Sequence, residues 1–146
     1  MIRRNQIIVV IVIVAVGAVF YVRNLNSSVD EAKSVADQFY NYIKANDPQS
    51  ASNLYHSSFL QTTNIEDVNS LIIAINSKLG TITDYELVNW NVKSFVGTSG
   101  SNTRIDLVFE VTRTKYNSIE TLVLLKENNA PFLISGYNIN SEGLIQ

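Results

Sequence analysis

Thr63 to Val88 reads TNIEDVNSLIIAINSKLGTITDYELV, and its apolar residues change period at Gly80. Val68, Leu71, Ile72, Ile75 and Leu79 recur at helical spacing and form one amphipathic stripe. Thr63 and Glu66 have the spacing of a capping box, and Gly80 stands where a helix C-terminal cap belongs. From Thr81 the period becomes two, as in a strand with one buried face. A helix handing over to strands points to an α+β fold, its helices packed on one face of an antiparallel sheet.

Downstream, Asp84 to Val96 reads as a long strand with Glu86, Val88, Trp90 and Val92 on one face. Gly97 to Asn102 is a turn, and Ile105, Leu107, Phe109 and Val111 then alternate with Arg104, Asp106 and Glu110. Lys115 to Ser118 turns the chain again. Ile119 to Lys126 is a third strand, Glu127 to Ala130 a turn, and Phe132 to Ile139 a fourth strand. Upstream, Ser28-Val-Asp-Glu31 reads as a capping box, followed by Ala32, Val35, Ala36, Phe39 and Ile43 on a helix ending near Asn46. Asp47-Pro48 starts a short second helix carrying Ala51, Leu54 and Tyr55, and Phe59 and Leu60 pack as the chain leaves it. The expected order is three helices, then a four-stranded antiparallel meander.

The N-terminus has a different character. Ile7, Ile8, Val9, Val10, Ile11, Val12, Ile13, Val14, Ala15, Val16, Gly17, Ala18, Val19, Phe20, Tyr21 and Val22 carry no charge. As a helix this run covers about 24 Å, slightly short of a ~30 Å hydrocarbon core, and interfacial Tyr21 and Arg23 extend it. In lipid only a helix satisfies its own backbone, so the β-branched run is no obstacle. Val16-Gly17-Ala18 would serve as a cleavage site for a signal peptide, but Phe20, Tyr21 and Val22 continue the apolar run beyond it. An uncleaved signal anchor is the better reading. Arg3 and Arg4 keep the amino terminus cytoplasmic, which places the domain on the far side, periplasmic or extracellular. The organisation is an anchor at 1–23, a linker at 24–28 and one domain at 29–146.

Composition excludes several kinds of chemistry. The chain has no cysteine, hence no disulfide, thiolate metal site or thiol nucleophile. With Arg3, Arg4 and Arg23 set aside, eight basic residues stand against thirteen acidic ones, an excess that disfavours nucleic-acid binding. One histidine and no helical His-x-x-x-His pair give a metal site no support, and no phosphate loop or nucleophile elbow is present. No cofactor is expected. The candidate pocket residues are Tyr40, His56, Asp84, Trp90 and Tyr137. His56 could act as a base, but it lies in a polar Tyr-His-Ser-Ser stretch suited to solvent. Asp84 suits an exposed turn as well as a pocket. The three aromatics could line a cavity, but core packing is their usual role. Asp106 and Glu110 share a face with Arg104, which fits solvated cross-strand ion pairs.

The order of elements resembles the NTF2-like (cystatin-like) superfamily in its small membrane-anchored bacterial forms. The residues that carry the resemblance are Phe39-Tyr40 near the end of the first helix, Ala45-Asn-Asp47 before the short helix, Lys78-Leu-Gly80 and Tyr85-Glu-Leu87. Glu120 to Glu127 and then Phe132 to Tyr137 look like that family's paired last strands. The resemblance implies a curved sheet wrapped around the helices as a cone. It includes enzymes and many binding proteins, so it does not fix function. The expectation is a non-catalytic accessory protein that binds a protein partner or its own copy at the membrane. The other readings are a small apolar ligand (or weak catalysis) in the cone, and a part of a secretion or conjugation apparatus.

Overall fold

A computed structural model of the chain describes residues 26–98 and 100–145. The apolar run, and with it the expected membrane helix, lies outside the described residues. Among those described, no helix is long and apolar enough to cross a membrane.

Helix α1 occupies 26–44. It is already helical at Asn26, so Ser28 and Glu31 lie inside it rather than capping its start. Its buried face is Val29, Ala32, Ala36, Phe39, Tyr40 and Ile43. Asn46 takes a left-handed conformation (φ 57°), and the Asp47 N–H donates to Tyr42 O at 2.9 Å, which closes the helix. Helix α2, Pro48–Ala51, starts as expected: Asp47 caps it by accepting the Ser50 N–H at 3.1 Å, and Pro48 takes the first turn. A 3-10 turn, Ser52–Leu54, follows. The segment expected to be a packed exit is instead a further short helix, α3, Ser57–Thr62. The helices therefore number four among the described residues, not three. Helix α4, Ile65–Leu79, is capped by Asn64 Oδ1 on the Glu66 N–H at 3.1 Å, one residue later than the Thr63 box implies. It buries Val68, Ile72, Ile75 and Leu79, whereas Leu71 falls off the stripe and is 55% exposed.

The strands are β1 (Ile82–Gly97), β2 (Gly100–Arg113), β3 (Ser118–Glu127) and β4 (Leu133–Asn140). They form one sheet in the order β1-β2-β3-β4, each pair antiparallel, as the sequence pattern requires. Ile105, Leu107, Phe109, Leu122, Leu124 and Ile134 on its inner face have no exposed surface. They pack with the buried face of α1 in one apolar core. Lys126 Nζ meets Glu31 Oε2 at 2.7 Å and ties α1 to β3.

Strand β1 departs from the expected face. Leu87 pairs with Phe109 but Asn89 pairs with Val108, so Val88 is an extra residue in a β-bulge. The bulge switches the alternation: Tyr85 and Leu87 point inward before it, and Trp90 and Val92 line up with inward Leu107 and Ile105 after it. Glu86 and Val88 are exposed. The two sheet edges also differ. At β4, Tyr55 forms a parallel bridge with Ile134, and the His56 N–H donates to Ile134 O at 2.7 Å. Among the described residues, no strand or bridge pairs with the outer edge of β1.

Candidate functional site

Among the described residues, the interior holds one charged cluster. Val111 and Leu122 face inward, and the period of two carries the same direction to Arg113 at the end of β2 and Glu120 on β3. Their side chains are 1% and 0% exposed. Arg113 Nη2 donates to Glu120 Oε1 at 2.7 Å, and Nε donates at 3.3 Å both to that oxygen and to Ser118 Oγ. Nη1 donates to Asn76 Oδ1 at 2.8 Å and to Gly80 O at 3.2 Å. Ser118 Oγ in turn donates to Glu120 Oε1 at 2.7 Å. The other carboxylate oxygen, Oε2, accepts the Tyr137 hydroxyl at 2.7 Å. A buried ion pair is tolerable only when its polar atoms are satisfied, and here each guanidinium nitrogen and both carboxylate oxygens have a partner.

Tyrosines surround this pair. Burial above all, and then the Glu120 charge, hold the Tyr40 and Tyr137 phenols far above the ordinary value. Burial pushes Tyr55 up to about 12. The three phenols therefore stay protonated at neutral pH. Tyr55 is buried without a partner for its hydroxyl, and the Tyr40 hydroxyl, outside regular hydrogen-bond geometry, is turned toward Glu120. Tyr40 stacks on Tyr85 with ring centroids 4.5 Å apart and meets Phe109 edge-on at 5.0 Å.

The sequence-predicted candidates are not all brought together. Tyr40 and Tyr137 flank Glu120, whereas the others lie elsewhere. His56 caps α3: its Nδ1 accepts the Ser58 N–H at 3.1 Å and lies 2.7 Å from Ser58 Oγ. Its Nε2 is 3.9 Å from Glu127 Oε2. Asp84 is exposed, and its Oδ1 accepts the N–H of Tyr85 at 2.9 Å. Trp90 has an inward register but is 45% exposed. Arg104 pairs with Asp106 at 2.8 Å along a single strand rather than across strands, and Glu110 stands opposite Glu86. Sequence reasoning passed over Arg113 and Glu120. Their signal was parity: each stands on the apolar inward register of its strand.

The surface carries grooves as well, two of them among the described residues bearing on a site. One, of about 630 Å³, lies between α1 and β1 and is bordered by Lys33, Asp37, Lys44, Asp84, Tyr85 and Glu86. There the Tyr85 hydroxyl donates to Asp37 Oδ1 at 3.1 Å and Lys44 Nζ donates to Thr83 O at 3.3 Å. The other, of about 650 Å³, lies where the β2–β3 turn meets the C-terminal 3-10 turn, Glu142–Leu144. Among the described residues, no group of three or more His, Cys, Asp or Glu could hold a metal ion. A general base must reach its substrate. Glu120 has no exposed surface and both of its oxygens already accept hydrogen bonds, so its present arrangement is structural. Comparison with family models, with curated proteins and with solved structures gives no match.

Proposed function

We propose that this chain is a membrane-anchored, non-catalytic accessory protein whose NTF2-like domain binds a protein partner or a second copy outside the cytoplasm. One observation carries the reading: where exposed apolar side chains lie relative to the closed interior. The space between helices and sheet is filled by Phe39, Tyr40, Phe109 and the satisfied Arg113–Glu120 pair. Four of the ten large hydrophobic residues exposed in the described chain, Val88, Trp90, Phe95 and Val96, fall instead on β1 alone. A concentration of this kind on one element marks an interaction surface better than scattered exposure does. The Ile7–Val22 run, flanked by Arg3 and Arg4, supports the anchor and its orientation.

The test is chemical crosslinking of the full chain in its membrane, followed by extraction in mild detergent and light scattering. A complex or a homo-oligomer is expected. A strictly monomeric protein that brings no other protein with it overturns the reading. The reading of a small apolar ligand in an open cone loses its main support, because side chains occupy that space.

A further inference from the structure

We infer that the open edge of β1 is a self-pairing site, in which Val92 to Val96 adds antiparallel to the same segment of a second copy and joins two sheets into one of eight strands. The inference rests on the interaction reading above and names its surface. It starts from the backbone. Gly97 pairs with Gly100 at the hairpin tip, and every second residue back along β1 exchanges its hydrogen bonds with β2. The residues between them turn their N–H and C=O outward. Trp90 is one of these, and its N–H is already taken by Asn89 Oδ1 at 2.8 Å. Val92, Ser94 and Val96 share its direction.

Natural edge strands are blunted by proline, bulges or several charges. Asn89 to Gly97 has no proline, no bulge and one charge, Lys93. Its apolar side chains are the most exposed on the strand, Phe95 at 69% and Val96 at 81%. Two identical antiparallel edges have a self-consistent register when the two-fold axis passes through Ser94. Each Val92 then faces the second copy's Val96 on the inner face. Each Lys93 faces the second copy's Phe95 on the outer face, where its stem covers the ring and its ammonium meets the ring's π-cloud. The two lysines do not oppose each other, and the caps on Tyr85 and Trp90 stay in place. An interface this small is weak in free solution. Confinement of both copies to one membrane raises their effective concentration enough to populate it.

Because the natural chain has no cysteine, single cysteines report the register directly. Ser94→Cys in the full, membrane-embedded chain is expected to form a disulfide-linked dimer under mild oxidation, and Asn138→Cys on the outer face of β4 is not. In the same membrane-embedded Ser94→Cys chain, adding Phe95→Lys and Val96→Lys is expected to lower the disulfide-linked dimer at least about tenfold, the first by facing the second copy's Lys93 with a like charge and the second by putting a charge against Val92, with thermal unfolding unchanged because both sites are exposed. Dimers that crosslink through Asn138→Cys, or survive the double lysine variant, overturn the edge proposal and leave the interaction reading standing. Capture of a different protein by Ser94→Cys overturns the second copy as occupant. A chain that is monomeric and partnerless in the membrane removes both readings.

Discussion

At the scale of single residues, Glu120 concentrates the largest effects. Removing one member of a buried pair leaves the other charge without compensation, so Glu120→Ala is expected to cost about 3–5 kcal/mol in urea unfolding. Arg113→Ala should cost a comparable amount and also orphan Asn76 Oδ1 and Gly80 O. The tyrosines separate by partner. Tyr137→Phe removes the hydrogen bond to Glu120 Oε2 and should cost about 1–3 kcal/mol, whereas Tyr55→Phe removes a hydroxyl with no partner and should be neutral or stabilising. Alkaline pH tests the same environment. The folded-state pKa values of Tyr40, Tyr55 and Tyr137 are raised, so the folded state holds protons that the unfolded chain releases above about pH 10. Stability should be level below that pH and fall above it. Each buried phenol adds a slope of about 1.4 kcal/mol per pH unit until its folded pKa is passed. The share of phenolate absorbance that belongs to these three tyrosines, read as the difference from a variant with all three replaced by phenylalanine, should rise together with loss of tertiary structure; its rise in a still-folded chain would contradict this.

At the scale of elements, the helix and strand periods were legible, and their ends less so. The strand segment Ile105–Val111 buries the side chains that the alternation predicts, because its inward residues are all apolar. The inner face of β1 was not legible. An inserted residue changes parity without changing composition, and nothing in Leu87-Val88-Asn89 marks Val88 as the extra one. The extra helix α3 escaped notice because its start signal is His56, a residue seldom read as a cap. At α4 the neighbouring candidates can be told apart experimentally: Asn64→Ala should cost about 1 kcal/mol and Thr63→Ala close to none, read from thermal unfolding. Gly80 was read correctly as the end of α4, and the structure adds a second reason for it. Its φ is 85°, and an added methyl would collide with Thr114 Oγ1 and the Lys115 backbone nitrogen. Gly80→Ala should therefore destabilise by more than the ~1 kcal/mol expected from conformation alone.

At the scale of the whole molecule, helices first and a meander second was the part most open to reading from sequence, since each hairpin joins neighbours along the chain. The buried pair was the hardest to see. Strand parity turns Arg113 and Glu120 inward but gives no sign that Asn76 and Gly80, from the end of α4, and Tyr137, from β4, converge on them. The proposed topology has its own test. Protease added outside intact cells or spheroplasts should digest the domain and leave Arg3 and Arg4 protected; protection of the whole chain would reverse the orientation.

The wiring of Glu120 also sets an order of events in time. Its Oε1 contacts, Ser118 and Arg113, lie two and seven residues away along the chain, while Tyr137, on Oε2, lies seventeen away. Short closures form fast, so the β2–β3 hairpin can assemble its half of the cluster before β4 docks. Ser118→Ala should then mainly slow refolding, and Tyr137→Phe should mainly speed unfolding. One carboxylate would thus record, in the two arms of a chevron plot, which strand arrives first.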